Sequence, residues 1–109
     1  MTVKDLVDLY DLEVVAGPNL EKEIDGVYIG DLLSNVMARA EKDNLWLTVQ
    51  GHQNVVAVAL LVELSAVILV EDFEYEENAV ERAQQKKVNL LKTKKKSYDL
   101  ASSFAESSI

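Results

Sequence analysis

The chain contains no cysteine, which excludes disulfides, thiolate chemistry and cysteine-ligated zinc or iron–sulfur centres. That absence is compatible with a reducing compartment, and a cytoplasmic protein is expected. His52 is the only histidine, so no site built from paired histidines can form. Pro18, the only proline, follows Gly17 and supplies one firm break in the chain. Long apolar runs are also missing. The longest, Val55 to Val70, is interrupted by Glu63 and Ser65 and is shorter than a membrane span. The opening Met1-Thr2-Val3-Lys4-Asp5 shows no basic region leading into an apolar core, so no secretory signal is expected. A phosphate loop, a GxGxxG turn and a nucleophile elbow are lacking too. No catalytic residue is therefore assigned, and an enzyme acting alone is not expected.

What is present is acidic and unevenly distributed. The net charge of −8 opposes nucleic-acid or anionic-membrane binding, both of which begin with neutralisation of phosphate by Lys and Arg. Residues 1–81 hold 17 acids against 4 bases, while residues 82–109 hold 7 bases against 2 acids. One basic patch on an acidic surface follows. It is either a solvated helix end and loop or a place for an anion.

With 109 residues of which 49% are hydrophobic, the chain can build one ordinary core without metal or disulfide. Three short apolar runs recur, each followed by a polar turn and a helix-patterned stretch: 45–49, 66–70 and 88–91. Runs this short and rich in Val, Ile and Leu suit strands buried on both faces. Their alternation with helices predicts β-α crossovers and a three-layer α/β domain, with helices on both faces of a mostly parallel sheet. Residues 45–105 form the repeated β-α units and residues 1–44 an amino-terminal α/β extension. In that extension Thr2 caps a helix with Val3, Leu6, Val7 and Tyr10 on one face, and Leu12–Val15 and Val27–Ile29 are strands. Asn19–Gly26 is a polar loop, and Asp31 caps a helix bearing Leu32, Leu33, Val36, Met37 and Ala40. The stretch Val55–Val62 is apolar nearly all round, so a second surface should cover it. A homodimer through Val56 and Leu60, or a sheet edge, is the simplest cover. Trp46 is expected as a core or interface anchor.

Parallel β-α units gather their exit loops at one sheet edge, where ligands bind. The turn Gly51-His52-Gln53-Asn54 enters a helix amino terminus. It either contacts a phosphate or base, or simply turns at Gly51 and caps with Asn54. Glu71, Asp72, Glu74, Glu76 and Glu77 lack the spacing and central Gly of a calcium loop, and Glu76 and Glu77 suit a helix start, so no metal is expected. Thr93, Lys94, Lys95 and Lys96 precede Ser97, read as the cap of the last helix; Lys94 and Ser97 are the best-placed phosphate contacts.

The frame from Leu47 to Phe104 resembles the DRTGG domain, a regulatory module found alone or beside phosphotransacetylase, pyrophosphatase and CBS modules. The strand ending at Gly51, the helix Val56–Leu61, the strand Ala66–Val70, Val88–Thr93 and the Ser97–Phe104 helix carry the likeness. Tyr28–Leu33 and Asn54–Ala59 are similar to standalone paralogues labelled serine-kinase-like, after the amino-terminal domain of HPr kinase. The name-giving residues differ. His52-Gln53 stands where the family shows Asp-Arg, and Val70-Glu71-Asp72 where it shows Thr-Gly-Gly. Losing the two glycines removes close backbone approach, and the acids repel phosphate. The resemblance implies a homodimeric, non-enzymatic module, an adenine nucleotide as the candidate ligand, and a partner protein or enzyme.

Overall fold

The computed structural model describes residues 1–109. Its elements in chain order are α1 (Val3–Tyr10), β1 (Glu13–Ala16), β2 (Val27–Ile29), α2 (Leu33–Arg39), β3 (Leu45–Thr48), α3 (Gln53–Val62), β4 (Ala66–Leu69), α4 (Glu77–Lys86), β5 (Leu90–Lys92) and α5 (Ser97–Glu106). The three recurring apolar runs become β3, β4 and β5, every residue of which is buried. Successive strand side chains point to opposite faces, and the core divides accordingly. Trp46, Val67 and Leu90 join the cluster beneath α2, α3 and α4. Leu45, Leu47, Ala66, Ile68 and Leu91 join the one beneath α1 and α5. This is the expected three-layer α/β domain.

The strand order, which the sequence does not disclose, is β1-β5-β4-β3-β2. β2 to β5 are parallel, and β1 closes one edge antiparallel to β5, with Glu13 opposite Lys92. The predicted run 88–91 starts as a strand two residues late because Asn89 turns its side chain elsewhere. Its amide donates to Ser65 O at 2.9 Å and Asn19 O at 2.7 Å, while its Oδ1 accepts from Asn19 N at 3.0 Å. The loop 19–26 is thereby clasped to the far end of the chain. Three backbone bonds also tie it to the amino terminus: Val3 N to Lys22 O, Lys4 N to Leu20 O and Ile24 N to Met1 O.

Two of the expected dimer contacts are corrected here. Trp46 and Val56 are both 0% exposed within the single chain, so neither can meet a partner. Trp46 fills the core and donates its Nε1–H to Gly30 O at 2.8 Å. The flanks of α3 are covered by α2 and α4 rather than by a second copy. Asn54, Ala57, Leu60 and Leu61 turn to water along its outer side. No helix is long and apolar enough to cross a membrane.

Thr2 caps α1 as expected, in a reciprocal box. Its Oγ1 accepts from Asp5 N at 3.2 Å, and its own N–H donates to the Asp5 carboxylate at 3.0 Å. That hydrogen bond holds the Asp5 carboxyl below its ordinary 3.8. A depressed folded value means the contribution is complete above the unfolded value and is lost as pH falls through the folded one. Asp5→Asn should therefore flatten the decline of stability below about pH 4. Urea midpoints across that range measure it, and equal slopes in both proteins would rule the box out as an acid-sensitive element.

Candidate functional site

Because β2 to β5 run parallel, their four exit loops meet at one edge, and several of their polar groups bond to one another. At the exit of β2, Asp31 does not cap α2. Leu32 holds that position without a side-chain bond. The Asp31 Oδ1 instead accepts from Thr48 Oγ1 at 2.8 Å and Val49 N at 3.0 Å, and its carbonyl accepts from the Gln50 amide. The carboxylate is thus a brace between two loops.

At the exit of β3, Gly51 lies under the loop that follows β4. A Cβ there would stand 2.2 Å from Glu74 O and 2.8 Å from Tyr75 Cα, and Gly51 O accepts from Glu76 N at 2.9 Å. The close approach that glycine permits is to the protein's own backbone. His52, rather than Asn54, caps α3: its Nδ1 accepts from Asn54 N at 3.0 Å. Accepting at Nδ1 leaves the neutral ring's proton on Nε2, which faces Glu76 Oε1 at 4.0 Å. Gln53 begins the helix and Asn54 is exposed within it.

The loop after β4 is held in an uncommon shape. Glu71 (φ 61°) and Asp72 (φ 60°) are both left-handed, a conformation that costs a residue with a Cβ roughly 1–2 kcal/mol. These are the two positions where the resembled family shows glycines. Glu71 N donates to Lys95 O at 2.9 Å and Asp72 N to Thr93 O at 3.0 Å, joining the exits of β4 and β5. Below them the Tyr75 hydroxyl donates to Leu91 O at 2.7 Å, and burial pushes the phenol well above its usual range.

The exit of β5 carries the remaining charge. Lys92 has a side chain 8% exposed, and its Nζ lies 2.5 Å from Glu74 Oε1 and 3.5 Å from Asp72 Oδ1. The Glu74 hydrogen bond raises the ammonium above the ordinary lysine value against the opposing effect of desolvation, with the charges of Glu74, Asp72 and Glu13 adding to it. Beside it opens a cleft of about 300 Å³ lined by Asp11, Glu13 and Asp72, by Lys92, Lys94 and Lys95, and by Thr93. No apolar residue lines it, so it suits compact charged groups and offers no platform for an aromatic base. Ser97 is the first residue of α5, not its cap; Lys96 takes that place with no side-chain bond.

Of the residues singled out in the sequence, Asp72, Thr93, Lys94 and Lys95 share this cleft, while Gly51, His52, Gln53, Asn54, Glu71 and Ser97 do not line it. Three lining residues were not anticipated. Asp11 and Glu13 arrive from the other end of the chain through the β1–β5 pairing, for which the sequence holds no local signal. Lys92 had one: a lysine closing an apolar run, two residues from Leu90 and so on the same face.

A family model described as the DRTGG domain matches residues 5–107. Among solved structures the chain is similar to the crystal structure of the CBS and DRTGG domains of the regulatory region of Clostridium perfringens pyrophosphatase, in complex with the activator diadenosine tetraphosphate. The TM-score is 0.72 at 10% identity, over 92% of this chain and 44% of that one. The chain thus spans less than half of that protein's length, and the likeness speaks to the fold. None of the curated proteins matches the chain.

Gly51→Ala should destabilise the domain by about 1–3 kcal/mol through the clash with the Glu74–Tyr75 backbone. The urea midpoint reads this directly; an unchanged midpoint would mean that the two loops do not press on each other in solution.

Proposed function

The chain belongs to the DRTGG domain family, and on that footing we propose that it is a non-enzymatic regulatory module acting on a partner protein in the cytoplasm. Its sensing edge is the cleft beside β5, where a small anionic ligand binds. The observation that carries this reading is the convergence of Lys92, Lys94 and Lys95 with Thr93 at the carboxyl edge of a parallel sheet, in a chain that is otherwise acidic. Hydroxyl and ammonium donors placed together suit phosphate oxygens. Two side chains of general-base type are engaged elsewhere: His52 Nδ1 in capping α3, and the Asp31 carboxylate in bracing two loops.

The second reading is an adenine-nucleotide sensor acting on a partner enzyme. What favours it is the fold neighbour, a pyrophosphatase regulatory region described with diadenosine tetraphosphate as activator. In this chain the cleft would take the phosphates, since its lining has nothing apolar for the base. Thermal shifts with AMP, ADP, ATP and dinucleotide polyphosphates, with and without Mg²⁺, separate the two. Ligand at about 100 times its Kd adds about 2.7 kcal/mol of stability, several degrees in a domain of this size. No shift with any of them ends the nucleotide reading and leaves a protein-interaction module.

The module is proposed to work as a homodimer through the outer side of α3, where Leu60 and Leu61 are 45% and 70% exposed. Leu60→Glu should leave the fold intact and yield a monomer by light scattering. A dimer of unchanged mass would place the contact elsewhere.

A further inference from the structure

Lys92 stands apart from the other lysines of the cleft. Its side chain is 8% exposed, yet both carboxylates that neutralise it belong to one surface loop and are themselves open to water: Asp72 at 55% and Glu74 at 79%. That loop begins with the two left-handed residues Glu71 and Asp72. Two opposing facts thus meet at one point. The backbone conformation is unfavourable for residues with side chains, and one of the two, Asp72, reaches a fixed cation on the sheet.

We propose that Lys92 is an anion site kept closed by the chain's own carboxylates. A ligand carrying a diphosphate group binds by displacing Glu74 and Asp72 from Nζ, which frees the loop from 71 to 75. The proposal rests on the reading of this edge as the sensing site and adds how occupancy would be transmitted.

The geometry supplies each part. Phosphate oxygens replace carboxylate oxygens at the same donor with the same type of bond, so the exchange needs no rearrangement of β5. Lys94, Lys95 and Thr93 line the same cleft and can take the remaining oxygens. The released segment is coupled to the rest of the edge. Glu74 O packs over Gly51, the amides of Glu71 and Asp72 donate to the loop after β5, and Glu76 N donates to Gly51 O. An event at Lys92 therefore reaches the start of α4 and the His52 cap of α3 through direct contacts. Asp11 and Glu13 stay in the cleft and weaken any anion, so wild-type affinity is modest and the closed state weakens it further.

The test compares the full chain, Asp72→Asn/Glu74→Gln, and that double variant with Lys92→Met added. Each is titrated calorimetrically with inorganic pyrophosphate and with ADP, with circular dichroism confirming the fold. The double variant should bind pyrophosphate about tenfold more tightly than wild type, and Lys92→Met should abolish the gain. A gain that survives Lys92→Met is general electrostatics and overturns the proposal, as does no gain for either probe. Equal gains assign recognition to the diphosphate alone, whereas a gain confined to ADP assigns it to a nucleotide's phosphates. In the double variant the amides of residues 71 and 72 should also exchange hydrogen faster than in wild type. Unchanged exchange would show that Lys92 does not hold the loop.

The proposal and the sensor reading fail separately. Nucleotides that bind wild type and its Lys92→Met variant equally well overturn the proposal alone. A wild type silent to every nucleotide, beside a Lys92-dependent gain for pyrophosphate, ends the sensor reading alone.

Discussion

The central strands, Leu45–Thr48 and Ala66–Leu69, meet water on neither face, and that burial dictates the layers around them. A sheet surface this apolar must be covered twice, so α2, α3 and α4 pack on one side and α1 and α5 on the other. Alternating side chains share the strands between two cores, which is why Trp46 and its neighbours Leu45 and Leu47 serve different clusters. Polar residues are admitted only with partners. Ser65 donates to the carbonyls of Asp43 and Asn44, and Asn89 satisfies three groups at once.

Parallel strands also decide where loops go. Four exits crowd one edge, and they settle into a network in which Asp31 braces the first two, Gly51 admits the third, and Glu71 and Asp72 lace the third to the fourth. The cleft opens at the β5 corner, because β1 turns antiparallel there and brings Asp11 and Glu13 opposite the end of Lys92's strand. The candidate site is therefore a product of topology: three lysines from one stretch, and acids from two distant ones.

Much of the architecture was legible because it rests on local pattern. Strand runs, the amphipathic stripe of α1, the acidic start of α4 and the Thr2 cap all follow from patterns within a few neighbouring residues, and they appear within a residue or two of expectation. Helix caps at the functional edge were not legible. Asp31, Asn54 and Ser97 all have good capping side chains, but the loops claim Asp31 as a brace, while His52 and Lys96 occupy the positions just before their helices. The all-round apolar pattern of α3 was misleading for a similar reason. It reflects two helical neighbours in the same chain, so it does not by itself require a second copy. Strand order, and with it the company of Lys92, depends on pairings far apart in sequence, which no short-range pattern encodes.

The clasp between Asn19 and Asn89 spans 70 residues, and β1 likewise pairs with the last strand of the sheet. During synthesis Asn19 is made first, and its partner follows 70 residues later. At about 5–20 residues per second, β1 and the loop after it wait several seconds on the ribosome without their native neighbours. The acidic character of that stretch, with Glu13, Glu21, Glu23 and Asp25, keeps it soluble while it waits. The last step of building the sheet therefore also assembles the cleft, so a nascent chain lacks that corner until β5 and the loop as far as Lys95 have been made.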